Sequence, residues 1–385
     1  MVFIKRWLQA ISLGILLFTV STWVSAFPGN ARSISAQALA FSSLSQTAPP
    51  LVSYLPPGNA ITDGKALLRY ALPIDSPEIR KVQKDLEDFS EWLRSKRWGP
   101  IKSNIVKIER ILNRSSDKLL ATVSPADQAQ AKTLIGQLQA GLMPLREAVE
   151  AKDKEQVWLQ RSALLDTVGA LEALMVKSFP YEVPAEYSGL PQLKGRATVE
   201  FTTNKGSMTA VVDGYSAPVT AGNFVDLVQR GFYDGLEFTR AEDFYVVQIG
   251  DPPGEAEGFI DPDTGEYRAI PLEVLVQGDT EPTYGITLED AGRYLDKPVL
   301  PFSAYGTLGM ARPGDDPNGG SSQFFFFLFE PELTPAGLNL LDGRYSVFGY
   351  VIENKEVLEN LKQGDKIISA RVVKGAENLV EPQAA

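Results

Sequence analysis

Between residues 76 and 180 the hydrophobic positions recur every three or four residues, which predicts amphipathic helices. The repeat starts after Ser76-Pro77, an N-cap residue followed by proline at the first helical position. Four such stretches, joined by short connections, predict an antiparallel helical bundle. The apolar face of the last stretch, from Val157 to Met175, suits the bundle's own core, with a zipper for a partner helix as the alternative.

Glycine and proline mark where these helices should break. Gly99-Pro100 is predicted to separate the first helix from the second, and Pro144 to kink or end the third. The third helix starts at a capping-box sequence that begins with Ser124. The fourth starts near Asp153, with Gln156 completing its cap.

Beyond residue 195 the pattern changes from helical to alternating. Residues 197–203 and 207–212 predict a strand hairpin, and residues 217–230 predict a helix. Further strands are predicted at residues 236–240, 244–249, 323–329 and 347–351, whereas residues 251–301 are rich in Gly, Pro and Asp and predict loop. A mostly antiparallel sheet with few helices predicts a closed β-barrel, so the fold class is α+β with two domains.

The first 26 residues have the three parts of a secretory signal. Lys5 and Arg6 form the positive end, and residues 11–20 form an apolar run that is short for a membrane span. Val24 and Ala26 are the small residues that a signal peptidase reads, so we expect cleavage after Ala26 and a soluble, exported protein; an uncleaved anchor is the alternative. After the signal the predicted organisation is a Pro-, Ser- and Ala-rich linker (27–75), the bundle (76–180), a second linker (181–194), the second domain (195–375) and a tail (376–385).

The chain contains no cysteine and no histidine. Disulfides, thiolate metal sites, cysteine nucleophiles and the usual general base near neutral pH are therefore excluded. Any chemistry must use carboxylates, hydroxyls, amines or guanidinium groups, or change conformation without covalent steps. We expect no cofactor and no metal, because the acidic sequence at residues 261–266 lacks the ligand spacing of a calcium loop.

The net charge of −11 is concentrated in the second half of the chain. Residues 75–180 carry 17 basic and 15 acidic residues, whereas residues 181–385 carry 15 basic and 32 acidic ones. Such an acidic surface argues against nucleic acid or an anionic membrane as the main partner. Simple solubility explains the charge, and a specific basic partner is the alternative.

Five segments of the second half resemble, in order, the signature segments of the cyclophilin family of peptidyl-prolyl cis-trans isomerases. They are GFYDGLEFTR at 231–240, FYVVQIGDP at 244–252, GTLGMAR at 306–312, GGSSQFFF at 319–326 and LLDGRYSVFGYV at 340–351. With the export signal and the helical bundle, the whole chain is similar to the two-domain thylakoid-lumen cyclophilins of cyanobacteria and chloroplasts.

The resemblance implies which residues form the active site. Arg240 matches the catalytic arginine, and Gln248 matches the glutamine that supports it and binds the substrate backbone. The implied substrate-binding residues are Phe325 and Leu341 in the proline pocket, Tyr245 and Val246 at its rim, Ala311 and Arg312 along the substrate main chain, and Leu340 and Tyr345 beside them.

Several of these positions depart from the usual residues of the family. Thr239, Leu340 and Tyr345 stand where most members have histidine, tryptophan and histidine, and Arg312 replaces an asparagine. Tyr245 and Val246 replace a Phe-Met pair, and an acidic insertion over residues 251–300 lengthens the domain. The missing indole of Leu340 puts binding of cyclosporin-type ligands in doubt.

Two functions remain open from the sequence. The first is a prolyl isomerase of low turnover that assists the folding or assembly of exported or thylakoid membrane proteins, with photosystem II as the expected setting. The second is a chaperone or assembly scaffold that binds proline-containing segments with little catalysis. Either one implies clients with proline-containing segments, such as lumenal loops of membrane proteins, and a location in the thylakoid lumen or periplasm.

Overall fold

The computed structural model describes residues 53–56, 60–262, 264–329 and 339–382. The predicted signal over residues 1–26 and most of the linker that follows it lie outside the described residues. Among the described residues, no helix is long and apolar enough to cross a membrane.

The first domain is helical, as predicted. Its apolar stripes face inward, and Leu86, Ile105, Leu138 and Val168 are all buried in one cluster. Helix α2 packs on α4 and α7, and α6 packs on the same two helices. The stripe of the last helix therefore belongs to the bundle core. The helices are α1 (Gly64–Ala71), α2 (Pro77–Glu87), α3 (Phe89–Arg94), α4 (Trp98–Arg114), α5 (Ser116–Ala121), α6 (Gln128–Glu150) and α7 (Lys154–Leu174).

The predicted separation of helices near Gly99-Pro100 is present, because α3 ends at Arg94 and α4 begins at Trp98, whereas the helix end predicted at Pro144 is wrong. Pro100 lies in the first turn of α4, where the N–H group that proline lacks has no partner in the helix. Pro144 lies inside α6, which continues through it. Leu142 and Leu145 on either side of Pro144 are buried in the bundle, so packing holds the helix in spite of the lost hydrogen bond.

The predicted linker over residues 27–75 contains a helix, which corrects that prediction. Helix α1 is capped by Asp63, whose side chain accepts a hydrogen bond from the amide of Lys65 at 2.9 Å. Leu67 and Leu68 are buried in a cluster that also contains side chains of the second domain. An eight-residue helix is too short to show a clear period in sequence, which is why the pattern did not reveal it.

The second domain is built on one curled sheet of eight strands. The strands lie in the order β11-β2-β3-β10-β8-β9-β5-β4, and each pair is antiparallel. Helix α8 (Pro218–Gln229) packs on β1, β11 and β12. The strands are β1 (Gln192–Leu193), β2 (Arg196–Thr203), β3 (Gly206–Asp213), β4 (Arg240–Glu242), β5 (Val246–Ile249), β6 (Glu273–Val274), β7 (Thr283–Tyr284), β8 (Thr307–Met310), β9 (Phe324–Phe327), β10 (Val347–Glu353), β11 (Ile367–Lys374) and β12 (Leu379–Val380).

The sheet is a half-barrel, so the prediction of a closed barrel is wrong. Its edge strands are β11 and β4, and β4 has only three residues. The strand predicted at residues 236–240 forms one bridge, between Glu237 and Lys366. Four backbone hydrogen bonds join residues 235–238 to 364–367, but no regular strand ladder with β11 closes the sheet. The coarser prediction, a helical domain followed by an antiparallel α+β domain, holds.

Three segments predicted without secondary structure contain short strands. Strand β1, from the predicted second linker, pairs with β12 from the predicted tail. Strands β6 and β7 pair within the acidic insertion that was predicted to be loop. Leu272, Val274, Val276 and Leu288 form a small buried cluster there, so the insertion has a core of its own.

Strand β9 consists of four buried phenylalanines, Phe324 to Phe327. Successive side chains of a strand point to opposite faces of the sheet. Phe324 and Phe326 belong to the inner cluster of the half-barrel, whereas Phe325 and Phe327 belong to an outer cluster. That outer cluster also contains Leu67 and Leu68 of α1, so the bundle side of the molecule covers part of the outer face.

A buried carboxylate anchors the insertion to helix α8. Glu273 is 1 % exposed and accepts hydrogen bonds from the backbone amides of Val219 at 3.2 Å and Thr220 at 2.9 Å. Burial raises the pKa of Glu273 from 4.5 to about 7, although these two amides act in the opposite direction. The folded protein therefore holds a proton here that the unfolded chain has already lost near neutral pH.

We expect the free energy of unfolding to fall as the pH rises from about 4.5 to about 7, because only the unfolded state releases the Glu273 proton over that range. Glu273→Gln should make this slope shallower, with Asp342 and Glu172 contributing the rest. Glu281→Gln, at an exposed position of the same insertion, should keep the wild-type slope. Denaturant unfolding at a series of pH values measures the slope. Equal slopes for the wild type and Glu273→Gln would contradict the assignment.

Candidate active site

Three predicted site residues and one glycine lie in one row across four adjacent strands. Arg240 of β4 pairs with Gln248 of β5, which pairs with Phe325 of β9, which pairs with Gly309 of β8. Residues directly opposite one another in a sheet project from the same face. With strands about 4.8 Å apart, Arg240 and Phe325 are separated by roughly 10 Å. The row therefore places a cation beside an apolar floor.

The guanidinium of Arg240 is half exposed and paired with a carboxylate. Its Nε donates to Oε1 of Glu242 at 2.6 Å, and its Nη2 lies 2.6 Å from the same oxygen. The guanidinium carbon also lies 5.9 Å from the ring centroid of Tyr245. Glu242 thus fixes one edge of the guanidinium and leaves Nη1 directed away from that pair.

Gln248 is held by a second glutamine. Its Nε2 donates to Oε1 of Gln323 at 2.8 Å. Gln323 in turn donates to the carbonyl oxygen of Glu257 at 2.8 Å, within the acidic insertion. The insertion therefore orients the side chain that stands between Arg240 and the apolar floor.

Phe325 forms the floor between two other aromatic rings. Phe302 stacks on it with ring centroids 5.8 Å apart and an angle of 6°, and Tyr345 meets it edge-on at 5.6 Å. Val246 and Leu341 belong to the same apolar cluster. Phe325 is only 6 % exposed, so the floor is shallow in this conformation.

Gly309 leaves room for this ring stack. A Cβ atom at Gly309 would lie 2.5 Å from Cζ of Phe325 and 2.8 Å from Cζ of Phe302. Both distances are far below van der Waals contact, and both rings are confined by buried neighbours. The absence of a side chain at this position sets the height of the floor.

Asp342 and Asn339 hold the backbone of Phe302. The Phe302 amide donates to Oδ1 of Asp342 at 2.7 Å, and Nδ2 of Asn339 donates to the Phe302 carbonyl at 2.9 Å. Burial raises the pKa of Asp342 to about 6, and its bonds from backbone amides oppose that shift. Two polar side chains thus fix the ring that stacks beneath the floor.

The rim of the site carries exposed apolar side chains. The rings of Tyr245 and Phe327 meet edge-on with their centroids 6.2 Å apart. Leu340 is 84 % exposed and does not belong to the apolar cluster. Phe244, in the hairpin turn between β4 and β5, is 79 % exposed and has a φ of 62°. A bulky residue in this left-handed region is strained, and an exposed ring recovers little of that energy.

Ala311 and Arg312, the residues predicted to lie along the substrate main chain, already contact neighbouring residues of this chain. The amide of Ala311 donates to the carbonyl of Gln323 at 2.9 Å. The guanidinium carbon of Arg312 lies 5.2 Å from the Tyr345 ring centroid, and its Nε donates to the carbonyl of Arg344 at 2.9 Å. Arg312 therefore covers the outer side of Tyr345 instead of projecting freely.

The structure brings most of the predicted residues together. Nine form or border one site, whereas Leu340 is 84 % exposed and lies outside the apolar cluster. Sequence reasoning missed the supporting residues Glu242, Gln323, Phe302 and Asp342. Of these, Gln323 and Asp342 lie inside quoted family segments, which was the available signal. Within the described residues, no group of three or more acidic side chains is arranged to hold a metal ion.

Comparison with known proteins matches both halves of the chain. A family model described as the CYP38-like peptidyl-prolyl cis-trans isomerase PsbQ-like domain matches residues 63–176. A second, described as cyclophilin type peptidyl-prolyl cis-trans isomerase, matches residues 198–377.

Relatives match over nearly the whole chain. A Synechocystis protein, named as a candidate thylakoid lumen peptidyl-prolyl cis-trans isomerase, is 58 % identical over 98 % of this chain and 96 % of its own length. The chain belongs to the cyclophilin-type peptidyl-prolyl cis-trans isomerase family. Two chloroplastic cyclophilins of Arabidopsis thaliana are also similar: CYP38 is 43 % identical over 97 % of this chain and 85 % of its own length, and CYP37 is 33 % identical over 86 % and 73 %.

Membership of this family confirms the resemblance and the enzyme class predicted from the sequence. The role of each site residue in this cyclophilin stays a prediction, because the comparisons concern the chain and not single positions.

Gly309→Ala should distort the cyclophilin site. The new methyl group must displace Phe325 or Phe302, and such overpacking costs about 1–3 kcal/mol of unfolding free energy. We expect weaker binding of a proline peptide together with this loss of stability. Gly189→Ala is the control, because a Cβ there meets no atom within 4 Å. Peptide titration and denaturant unfolding test both variants, and wild-type binding by Gly309→Ala would contradict the packing argument.

Phe244→Gly should stabilise the fold by about 1 kcal/mol, since glycine adopts a positive φ without steric strain. Phe244→Ala is the matched control, because it removes the exposed ring but keeps the strained Cβ, and we expect little change. Thermal and denaturant unfolding compare the two. Equal stability of the glycine and alanine variants would show that the backbone at residue 244 stores no strain.

Proposed function

We propose that this cyclophilin isomerises Xaa-Pro bonds in protein clients of the thylakoid lumen, with Arg240 as the catalytic group. The observation that supports the proposal best is the single row that sets Arg240 and Gln248 beside the floor formed by Phe325. Rotation about a prolyl bond needs such a pair of surfaces, one to grip the ring and one to stabilise the twisted amide.

The chemistry requires no titratable base. The barrier to prolyl rotation is about 18–20 kcal/mol because the twisted amide loses its resonance, whereas cis and trans differ by only about 0.5–1 kcal/mol. In the twisted state the nitrogen lone pair becomes a hydrogen-bond acceptor. A guanidinium that donates to it stabilises the transition state more than either ground state. Arg240 retains Nη1 for this donation while Glu242 holds Nε and Nη2.

The apolar floor and Gln248 hold the substrate while the bond turns. Phe325, Val246 and Leu341 offer an apolar surface to the proline ring. Gln248 lies between that floor and Arg240, where its carboxamide can bind the substrate backbone. Fixing the ring while the preceding carbonyl swings converts binding energy into a preference for the twisted state.

The lumenal setting rests on relatives and on the sequence. The Synechocystis relative is named as a thylakoid lumen protein, and the two relatives from Arabidopsis thaliana are named as chloroplastic. The signal predicted at residues 1–26 agrees with export. We infer that the clients are proline-containing lumenal loops of membrane proteins, including proteins assembled into photosystem II.

Two observations favour the alternative, a binding module with little turnover. Phe325 is only 6 % exposed between Phe302 and Tyr345, and Arg240 already has Glu242 as a partner. A client must move Tyr345 to reach the floor and must compete with a carboxylate for the guanidinium. Both steps reduce turnover more than they reduce client binding at the rim.

Substitutions at Arg240 and Phe325 separate these functions. Arg240→Ala should lower kcat/KM by about 10²–10³, the effect of removing one transition-state donor. Arg240→Lys should also lower kcat/KM, because the compact charge of lysine does not reproduce the planar set of guanidinium N–H donors. Phe325→Ala should weaken binding of a proline peptide. Exchange spectroscopy measures isomerisation, and titration of the same peptide measures binding.

Arg371→Ala is the matched control, because Arg371 is also an exposed strand arginine paired with an acidic residue, Asp234. It should keep wild-type turnover. Equal turnover in the wild type and Arg240→Ala would remove the catalytic assignment. No turnover in the wild type, with peptide binding that depends on Phe325 alone, would establish the binding module.

A further inference from the structure

A groove of about 330 Å³ lies between helices α2 and α4 on the outside of the bundle. Four of its lining side chains are basic and one is acidic, in a chain whose net charge is −11. The lining residues are Lys81, Lys84 and Asp85 of α2 with Lys107, Arg110 and Ile111 of α4.

The helical period puts the basic side chains in two facing rows. Lys81 and Lys84 are three residues apart, as are Lys107 and Arg110, and residues at that spacing share one face of a helix. Because α2 packs directly on α4, the two rows border the same groove. Cations brought together in this way repel one another unless an anion lies between them.

The fold neutralises only part of this charge. Lys84 pairs with Asp88 at 2.7 Å, and the carboxylate of Asp85 lies in the groove under the influence of Lys107 and Lys84. The bond from Lys107 to Oδ1 of Asn104 at 3.1 Å does not cancel the charge of the lysine. Within the described part of the chain, neither Lys81 nor Arg110 has a carboxylate within 4.0 Å. Two cations of the groove thus remain available to an external anion.

We propose that this groove binds an acidic, extended segment of a partner protein, with carboxylates of the segment on Lys81 and Arg110. Ile111, which follows Arg110 on α4, also lines the groove and supplies an apolar contact, which suits a segment that mixes acidic and apolar residues. This binding site lies in the bundle, and none of its lining residues belongs to the candidate prolyl isomerase site.

Charge and shape favour a peptide over a membrane or a nucleic acid. Residues 181–385 carry 32 acidic against 15 basic residues, so a large anionic surface would repel most of the molecule. A short acidic segment meets only the local field of the groove, because charges beyond about 10 Å are screened at moderate salt. The concave space between two helices also fits an extended chain better than a flat bilayer.

The test uses the mature chain without its predicted signal and a labelled peptide of alternating glutamate and leucine. Fluorescence anisotropy should show binding that weakens as salt is added, and the same peptide with glutamine in place of glutamate should not bind. The double variant Lys81→Glu with Arg110→Glu should bind about tenfold more weakly, since two ion pairs become repulsive. Lys81→Gln with Arg110→Gln should give a smaller loss in the same direction.

The matched control makes the same change of charge elsewhere in the bundle. Lys132→Glu with Lys154→Glu alters exposed positions of α6 and α7 that do not line the groove, and it should keep wild-type affinity for the peptide. Far-ultraviolet circular dichroism confirms that each variant is folded before its affinity is compared.

Several outcomes would overturn the proposal. Equal affinity in the groove variant and the control variant would show that the interaction reflects net charge alone. Absence of peptide binding at low salt, with groove-dependent sedimentation on phosphatidylglycerol vesicles, would assign the groove to anionic lipid. A dimer in analytical ultracentrifugation that the groove substitutions dissociate would assign it to a second copy of this chain.

Discussion

The four phenylalanines of β9 constrain the whole molecule, because consecutive strand side chains point to opposite faces and all four are buried. A sheet with two apolar faces needs cover on both of them. On the inner side, Phe201, Phe224 and Phe348 fill the half-barrel. On the outer side, α1 and the segment at residues 299–304 pack against Phe325 and Phe327. The candidate site is the part of the outer face that this cover leaves accessible at its rim.

Covering the outer face also joins the two domains. Arg196 of β2 donates to the carbonyl oxygen of Leu68 in α1 and pairs with Asp213, which is fully buried. On the other side of α1, Arg69 pairs with Glu87 of α2. Removing one member of a buried pair leaves an uncompensated charge, so such pairs fix the position of α1 firmly. Helix α1 therefore has an ion pair to the bundle and packs against the outer face of the sheet.

The sequence was sufficient wherever a local rule decides the structure. Long helical stripes and alternating strands predicted both domains. The family segments pointed to Arg240, Gln248 and Phe325 as site residues, and the sheet places these three in one row. The sequence was insufficient where packing between residues distant in the chain decides the structure. Pro144 continues a helix because its neighbours are buried, and β6 forms because Glu273 reaches the start of α8. Neither the stack of Phe302 on Phe325 nor the pairing of Glu242 with Arg240 follows from spacing alone.

The absence of histidine has a consequence for how pH can act on this cyclophilin. Titration near neutral pH falls to buried carboxyl groups instead. Asp342, whose pKa is raised to about 6 by burial, does titrate there, and it holds the backbone of Phe302 beneath the floor. Protonation removes one acceptor from that anchor. Changes of pH near 6 therefore act on the apolar floor beside Arg240 through the carboxyl group of Asp342.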